Sequence, residues 1–154
     1  MNTPIGNIRI CGDNDVIDIV EFDDTYEYEV EGELTTPVEN CLNQLREYFD
    51  GTRKEFDLPI KLSGTNFQRL VWENLQKIPF GERVSYGDVA QAIGNPNAQR
   101  AVGNANNHNS IVIIVPCHRV IGSDGKLVGY AGGLWRKTWL LEHEAKVLDE
   151  TLLA

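Results

Sequence analysis

The sequence predicts a mixed α/β (α+β) protein in two parts. These are a small N-terminal sheet-plus-helix domain over residues 1–63 and a mostly helical, winged-helix-like C-terminal domain over residues 64–154 that holds a helix-turn-helix. Three observations predict this. Alternating, strand-like stretches gather before residue 35, whereas amphipathic helical periods dominate after residue 64. Between them, GTRKEFDLPIKLSG at 51–64 contains glycines, a proline and no sustained period, as a domain boundary does. The charge divides at the same place: residues 1–63 carry 5 basic against 15 acidic residues, net -10, and residues 64–154 carry 9 against 8, net +1.

Taken in order, residues 5–10 (IGNIRI) and 16–22 (VIDIVEF) alternate apolar with polar or small residues, and the turn-rich Cys11-Gly12-Asp13-Asn14-Asp15 between them makes a hairpin. The stretch YEYEVEGEL at 26–34 alternates again and is expected as a further strand or a solvated sheet edge. Val38, Leu42, Leu45 and Phe49 recur at helical spacing after Pro37, which suits a first helical turn. In the second part, Thr65 and Asn66 can cap a helix over 67–77 whose stripe is Phe67, Leu70, Val71 and Leu75, with Trp72 in the core. Ser85 caps YGDVAQAIG, Asn95-Pro96-Asn97 makes a tight turn, and Ala98 begins a second helix, AQRAVGNAN. That helix has little bulk, because Ala98, Ala101, Gly103 and Ala105 are small, and its one long cation is Arg100; its surface permits close approach to something. Ile111–Val115 reads as a buried strand that Pro116 ends just before Cys117. A last helix opens after Gly132-Gly133 and buries Leu140, Leu141 and Val147.

Composition excludes several classes. With 154 residues, 42% hydrophobic and 24% charged, the chain can bury a core without staples and is not disordered. Its longest purely aliphatic run, Ile111–Val115, is far below the roughly 18 residues of a membrane helix, so no membrane span is expected. Pro4, Gly6 and Arg9 stand where a secretion signal needs an unbroken apolar stretch, so a cytoplasmic location is expected. The cysteines Cys11, Cys41 and Cys117 are odd in number with no CxxC pair, which argues against a disulfide framework and a four-ligand zinc site. No metal and no other cofactor is expected. The net charge of -9 speaks against nucleic acid, but the acidity belongs to the N-terminal part.

The chemistry-bearing residues are Cys117 and His118. Imidazole can take a thiol proton and imidazolium can stabilise a thiolate, but neighbours on an extended chain point to opposite faces. His118 therefore reaches the Cys117 sulfur only if the chain bends or a water bridges them. A third group should orient the imidazole, and the last helix offers Glu142 and Glu144; this pattern leaves both open.

From Phe67 to Glu144 the chain resembles the C-terminal domain of the O6-alkylguanine-DNA alkyltransferases, the methylated-DNA–protein-cysteine methyltransferases. The stations occur in order: FQRLVWENLQKIPFGERVSYGDVAQAIG, RAVGNANNHN, IVPCHRVIGSDGKLVGYAGG and KTWLLEHE. TPIGNIRI and FDLPIKLSGTNFQ extend the likeness toward the N-terminus. The resemblance implies irreversible, single-turnover DNA repair, in which an alkyl group passes from O6 of guanine, or less efficiently O4 of thymine, to Cys117. It makes His118 the base acting through a water, Glu144 the carboxylate that orients His118, and Asn109 the holder of the active-site turn. It places Tyr86 near a flipped base and its phosphate, and Arg100 in the gap left in the duplex. Tyr130 becomes a pocket wall, and Ala131 offers a backbone N–H to the O6 leaving oxygen. Val120 joins that pocket. Arg119 joins Tyr86, Arg100, Ala98, Ala101 and Gly103 as DNA-facing. The implied partner is double-stranded DNA carrying O6-alkylguanine, bound through the minor groove by a monomer. A groove about 6 Å wide suits a small-residue helix, and helix N-termini can replace lysines at phosphates. Ser110 departs from the pattern, since many members have proline there.

Two other classes compete with this reading. A damage-recognising DNA-binding module without transfer activity is disfavoured by the cysteine at the acceptor position. A cysteine hydrolase is disfavoured because no separate oxyanion-hole motif stands out and Cys117 and His118 adjoin in sequence.

Overall fold

The computed structural model describes residues 1–25 and 32–153, and the chain divides into two compact units, Met1–Leu62 and Ser63–Ala154. The first unit opens with β1 (Asn2–Thr3), β2 (Gly6–Gly12) and β3 (Ile17–Phe22), an antiparallel sheet in the order β1-β2-β3. Gly6, at φ 102, supplies the left-handed residue of the β1–β2 turn, which Thr3 closes by donating Oγ1–H to the Gly6 carbonyl at 2.6 Å. Ile10 lies opposite Val20, and a bulge follows at Cys11/Gly12. The segment at 59–61 runs beside β3, with Ile17 N–H donating to Pro59 and Lys61 N–H to Ile17.

Helix α1 (Thr36–Asp50) covers this sheet and buries Pro37, Cys41, Leu45 and Tyr48. The expected stripe was centred one residue away: Leu45 belongs to the buried face, but Val38, Leu42 and Phe49 are only half-buried. Pro37, Cys41 and Tyr48 follow the same 3.6-residue period as the aliphatic set, and they are the set that faces the sheet. Of the expected strand at 26–34, residues 26–31 lie outside the described residues, and residues 32–34 are not extended into a sheet.

The second unit is mostly helical. Helix α2 (Asn66–Leu75) starts from a capping box in which Thr65 accepts from Gln68 N–H and Gln68 accepts from Thr65 N–H. It buries Val71, Trp72 and Leu75, while Leu70 faces out at 46% exposure. Trp72 donates its indole N–H to the Ala105 carbonyl at 2.8 Å, which ties α2 to α4 through the core. Strand β4 (Val84–Ser85) leads into α3 (Tyr86–Ala92), again through a capping box, between Ser85 and Asp88. After the turn at 93–98, α4 (Gln99–Asn107) packs on α2 and α3, burying Val102, Ala105 and Asn106. Strand β5 (Val120–Ile121) pairs in parallel with β4, and α5 (Leu134–Leu153) completes the unit. Among the described residues no helix is long and apolar enough to cross a membrane.

The expected strand at Ile111–Val115 is not formed. The segment folds into a tight turn in which Ile114 N–H donates to Val112, Val115 N–H donates to Ile111, and Ile113 takes φ 72. A β-branched residue strongly disfavours this left-handed conformation, which survives only where its surroundings over-determine it. Here the Asn109 side chain accepts from Ile111 N–H at 2.9 Å and donates to the Val115 carbonyl at 2.8 Å, satisfying groups a partner strand would otherwise take. Ile111, Val112, Ile113 and Val115 are all buried, so the hydrophobicity of the run is used without a sheet.

Candidate active site

Cys117, His118 and Arg119 form a single 3-10 turn directly after this segment. The turn supplies the bend that an extended chain would lack, and it buries all three side chains. Asn109 Nδ2 donates to Cys117 Sγ at 3.1 Å, and Asn106 Nδ2 donates to the Cys117 carbonyl at 3.2 Å. Asn109 thus holds both the strained turn and the sulfur. His118 Nε2 lies 2.7 Å from Glu144 Oε2, which fixes the Nε2–H tautomer and leaves a lone pair on Nδ1. That Nδ1 is buried and has no hydrogen-bond partner in the structure.

Of the two carboxylates left open by the sequence, the fold chooses Glu144, which is fully buried, whereas Glu142 is exposed. All four acceptor positions of Glu144 are used. Oε1 accepts from Arg119 Nε at 2.8 Å and Gly81 N–H at 2.9 Å, and Oε2 accepts from His118 and from Arg119 Nη2 at 3.1 Å. Gly81 has φ 82, and a side chain there would run into Leu148, so only glycine brings this N–H to the carboxylate.

Burial pushes the Cys117 thiol up to about 11, against the pull of the Asn109 hydrogen bond and Lys137. Burial likewise holds His118 below its usual value, against the pull of Glu144. Burial would raise Glu144, but His118 and Arg119 hold its carboxyl well below the usual range. The downward shift of His118 favours a neutral imidazole, the Arg119 fork on both Glu144 oxygens supplies the ionised carboxylate with a cation, and the Cys117 thiol keeps its proton until something draws it off. A thiol followed in the chain by an imidazole that a carboxylate orients is the residue set of covalent catalysis.

Arg119 corrects an expectation. It was expected to face DNA, but its side chain is buried, with both Glu144 oxygens and the Ile78 carbonyl (2.7 Å from Nη1) taking its protons. The apolar and polar contacts of a buried turn leave no guanidinium for a phosphate. The other expected residues divide into inner and outer groups. Val120 is fully buried in β5, and Tyr130 is buried after the loop at 122–129, with Ala131 exposed beside it. Tyr86 starts α3, its hydroxyl donates to the Val128 carbonyl at 2.8 Å, and its ring packs against Gly103, where a side chain would stand 3.8 Å away. On α4, Arg100 and Ala101 are exposed and Ala98 and Gly103 half-buried, whereas Ala105 belongs to the core beneath Trp72.

Sequence reasoning missed Lys137. Its side chain is fully buried, and Nζ donates to the carbonyls of Val120 (2.6 Å), Gly129 (3.2 Å) and Val128 (3.3 Å), fastening the loop at 122–129 to β5. Burial brings its pKa down to about 8, against the pull of Cys117. The signal was present: Lys137 lies one and two turns before Leu140, Leu141 and Glu144 on the buried stripe of α5. Asn106 and Gly81 carried no comparable signal. Among the described residues no three His, Cys, Asp or Glu side chains gather where a metal could sit.

Both units match known families. Residues 1–62 match the 6-O-methylguanine DNA methyltransferase, ribonuclease-like domain, and residues 66–146 match the 6-O-methylguanine DNA methyltransferase, DNA binding domain. A methylated-DNA--protein-cysteine methyltransferase of Mycolicibacterium paratuberculosis is 48% identical over 149 residues, covering 95% of this chain and 90% of the relative. One from Methanosarcina acetivorans is 47% identical over 151 residues, covering 92% and 94%. The crystal structure of Mycobacterium tuberculosis OGT in complex with DNA is similar, with a TM-score of 0.87 at 44% identity, over 96% of this chain and 91% of that one. With both domains matched and near-half identity along almost the whole length, the chain belongs to the 6-O-methylguanine DNA methyltransferase family.

Proposed function

We propose that this protein repairs O6-alkylguanine in double-stranded DNA by moving the alkyl group onto Cys117, once per chain, with O4-alkylthymine as a poorer substrate. The observation that carries the reading is the buried Cys117 thiol, held by Asn109, beside a His118 whose Nδ1 is unoccupied and whose Nε2–H is held by Glu144. Family membership agrees with it.

In the reaction the Cys117 S–H proton passes through one bridging water to His118 Nδ1. The sulfur forms a bond to the alkyl carbon as the C–O6 bond breaks. The guanine keeps that electron pair and takes up a proton to become ordinary guanine. A thioether is a poor leaving group, so the sulfur stays alkylated. Glu144 orients His118 and stabilises the imidazolium while it exists. Lys137 favours the developing thiolate. The Ala131 N–H donates to O6 as it leaves, against the walls of Tyr130 and Val120.

The base edge is reached by flipping the nucleotide out of the stack. The outer face of α4, with Ala98, Ala101 and Gly103, enters the minor groove, where bulk would not fit. Arg100 fills the gap, and Tyr86 stands by the extruded nucleotide and its phosphate. The protein acts as a monomer in the cytoplasm and needs no metal or cofactor, since a thiolate attacks the alkyl carbon directly.

The test is a count. Protein mixed with excess duplex carrying one O6-methylguanine should restore one guanine per chain and then stop. Continued restoration, or none, would sink the reading.

A further inference from the structure

We infer that Arg119 is a positioning residue of the transfer reaction: its fork fills one acceptor site on each Glu144 oxygen, so that the carboxylate is satisfied without drawing a second proton onto His118. This rests on the reading of Cys117 as acceptor. The geometry carries it. Arg119 Nε and Nη2 reach Oε1 and Oε2 at 2.8 and 3.1 Å, and Nη1 is anchored on the Ile78 carbonyl at 2.7 Å. The guanidinium, itself buried, lies 5.7 Å from the ring centroid of the half-buried Phe80.

A buried carboxylate demands a countercharge. Two groups can supply it here. If Arg119 does, His118 remains neutral and its Nδ1 can accept the Cys117 proton. If Arg119 is removed, the imidazole already hydrogen-bonded to the carboxylate takes up the charge, and its proton is held to higher pH. A histidine in that charged state cannot act as a base. The groups facing Glu144 are His118, Arg119, the Gly81 N–H and Tyr130; those facing His118 are Glu144, Arg119 and Lys137. Lys137 is committed to the carbonyls of Val120, Val128 and Gly129 and does not reach Glu144 as a hydrogen-bond donor. Arg119 is thus the cation that donates to both Glu144 oxygens. Its place directly after His118 on the 3-10 turn moves base and countercharge as one unit.

The experiment follows benzyl transfer from free O6-benzylguanine to the full-length protein between pH 5 and 9, which leaves DNA binding out of the readout. Wild type, Arg119→Gln and Arg119→Lys are compared, with His118 followed in parallel by imidazole 15N NMR. Removing a cation that adjoins the ion pair should raise the acid limb of the Arg119→Gln profile by about two pH units, with the NMR titration moving alongside it. The rate at pH 7 should fall about tenfold while recovering toward wild type at pH 8.5 to 9. Arg119→Lys restores the charge without the fork and should lie between the two. An acid limb and His118 titration unchanged in every variant that folds, with the rate lowered evenly at all pH values, would overturn the inference. If wild type itself takes up no benzyl group, the failure belongs to the proposed function and not to Arg119.

Discussion

Cys41 and Cys117 are both fully or almost fully buried, and burial pushes both thiols upward, to about 12 and about 11. They differ in what surrounds them. Cys41 lies on the apolar face of α1 between Pro37 and Leu45, and nothing opposes its desolvation. Cys117 receives the Asn109 amide, feels Lys137, and is followed on the same 3-10 turn by His118, whose Nδ1 has no hydrogen-bond partner. Burial by itself makes a small inert hydrophobe; burial with a donor, a cation and a base makes a thiol that can be deprotonated when an alkyl carbon is in place. The comparison also explains why the resting thiol stays protonated: a permanent thiolate would need its charge compensated in the folded protein at all times.

The contrast can be broken in four ways, beginning with the largest effect. Cys117→Ala should abolish alkyl uptake while leaving binding to O6-methylguanine duplex measurable by fluorescence anisotropy, whereas Cys41→Ala should leave uptake intact. Next, His118→Ala should slow benzyl transfer by about 10²-fold or more, the range of a lost general base. In wild type the same assay should stay level as pH falls through 6.5, because His118 titrates below its usual value, and decline only under that. A decline beginning above pH 7 would mean that the resting imidazole is charged. Third, Arg100→Ala should slow duplex repair about tenfold more than it slows reaction with free O6-benzylguanine, since only the duplex requires extrusion. Equal losses on the two substrates would assign Arg100 to folding. Smallest, Cys41→Ser should cost about 1–3 kcal/mol in a urea melt, by placing a hydroxyl without a partner against the sheet, and leave the transfer rate constant unchanged.

Acid should act on the same site through stability. Glu144 titrates far below its unfolded value of about 4.3, so its contribution is fully present above that pH and is lost as pH falls through the lower folded value. Glu144→Gln should flatten the acid side of the stability profile, read by urea melts between pH 3 and 6.

Much of this site was legible in the sequence, and the rest was hidden for physical reasons. The capping residues Thr65 and Ser85 and the helices they start follow from local chemistry that needs no tertiary context. Glu144 could have been separated from Glu142 by the period of α5, since Leu140, Glu144 and Val147 share a face and Glu142 does not. Lys137 was visible on the same stripe, but a lysine there is ordinarily read as a solvated end of an amphipathic face. The turn at Ile111–Val115 was not legible. Five aliphatic residues read as a strand, and only the Asn109 side chain, taking over the hydrogen bonds at both ends, makes a left-handed Ile113 tolerable. Arg119 was misread because a cation in a DNA-binding domain invites a phosphate, and its true partner lies 25 residues away on another helix.

The most direct measurement exposes the protein to excess O6-methylguanine duplex, weighs it intact, and maps the modified peptide. One methyl group per chain, located at Cys117 with Cys11 and Cys41 untouched, is the predicted result. A methyl group at Cys11 or Cys41, or more than one per chain, would contradict the claim that the Asn109, His118 and Lys137 surroundings single out the acceptor thiol.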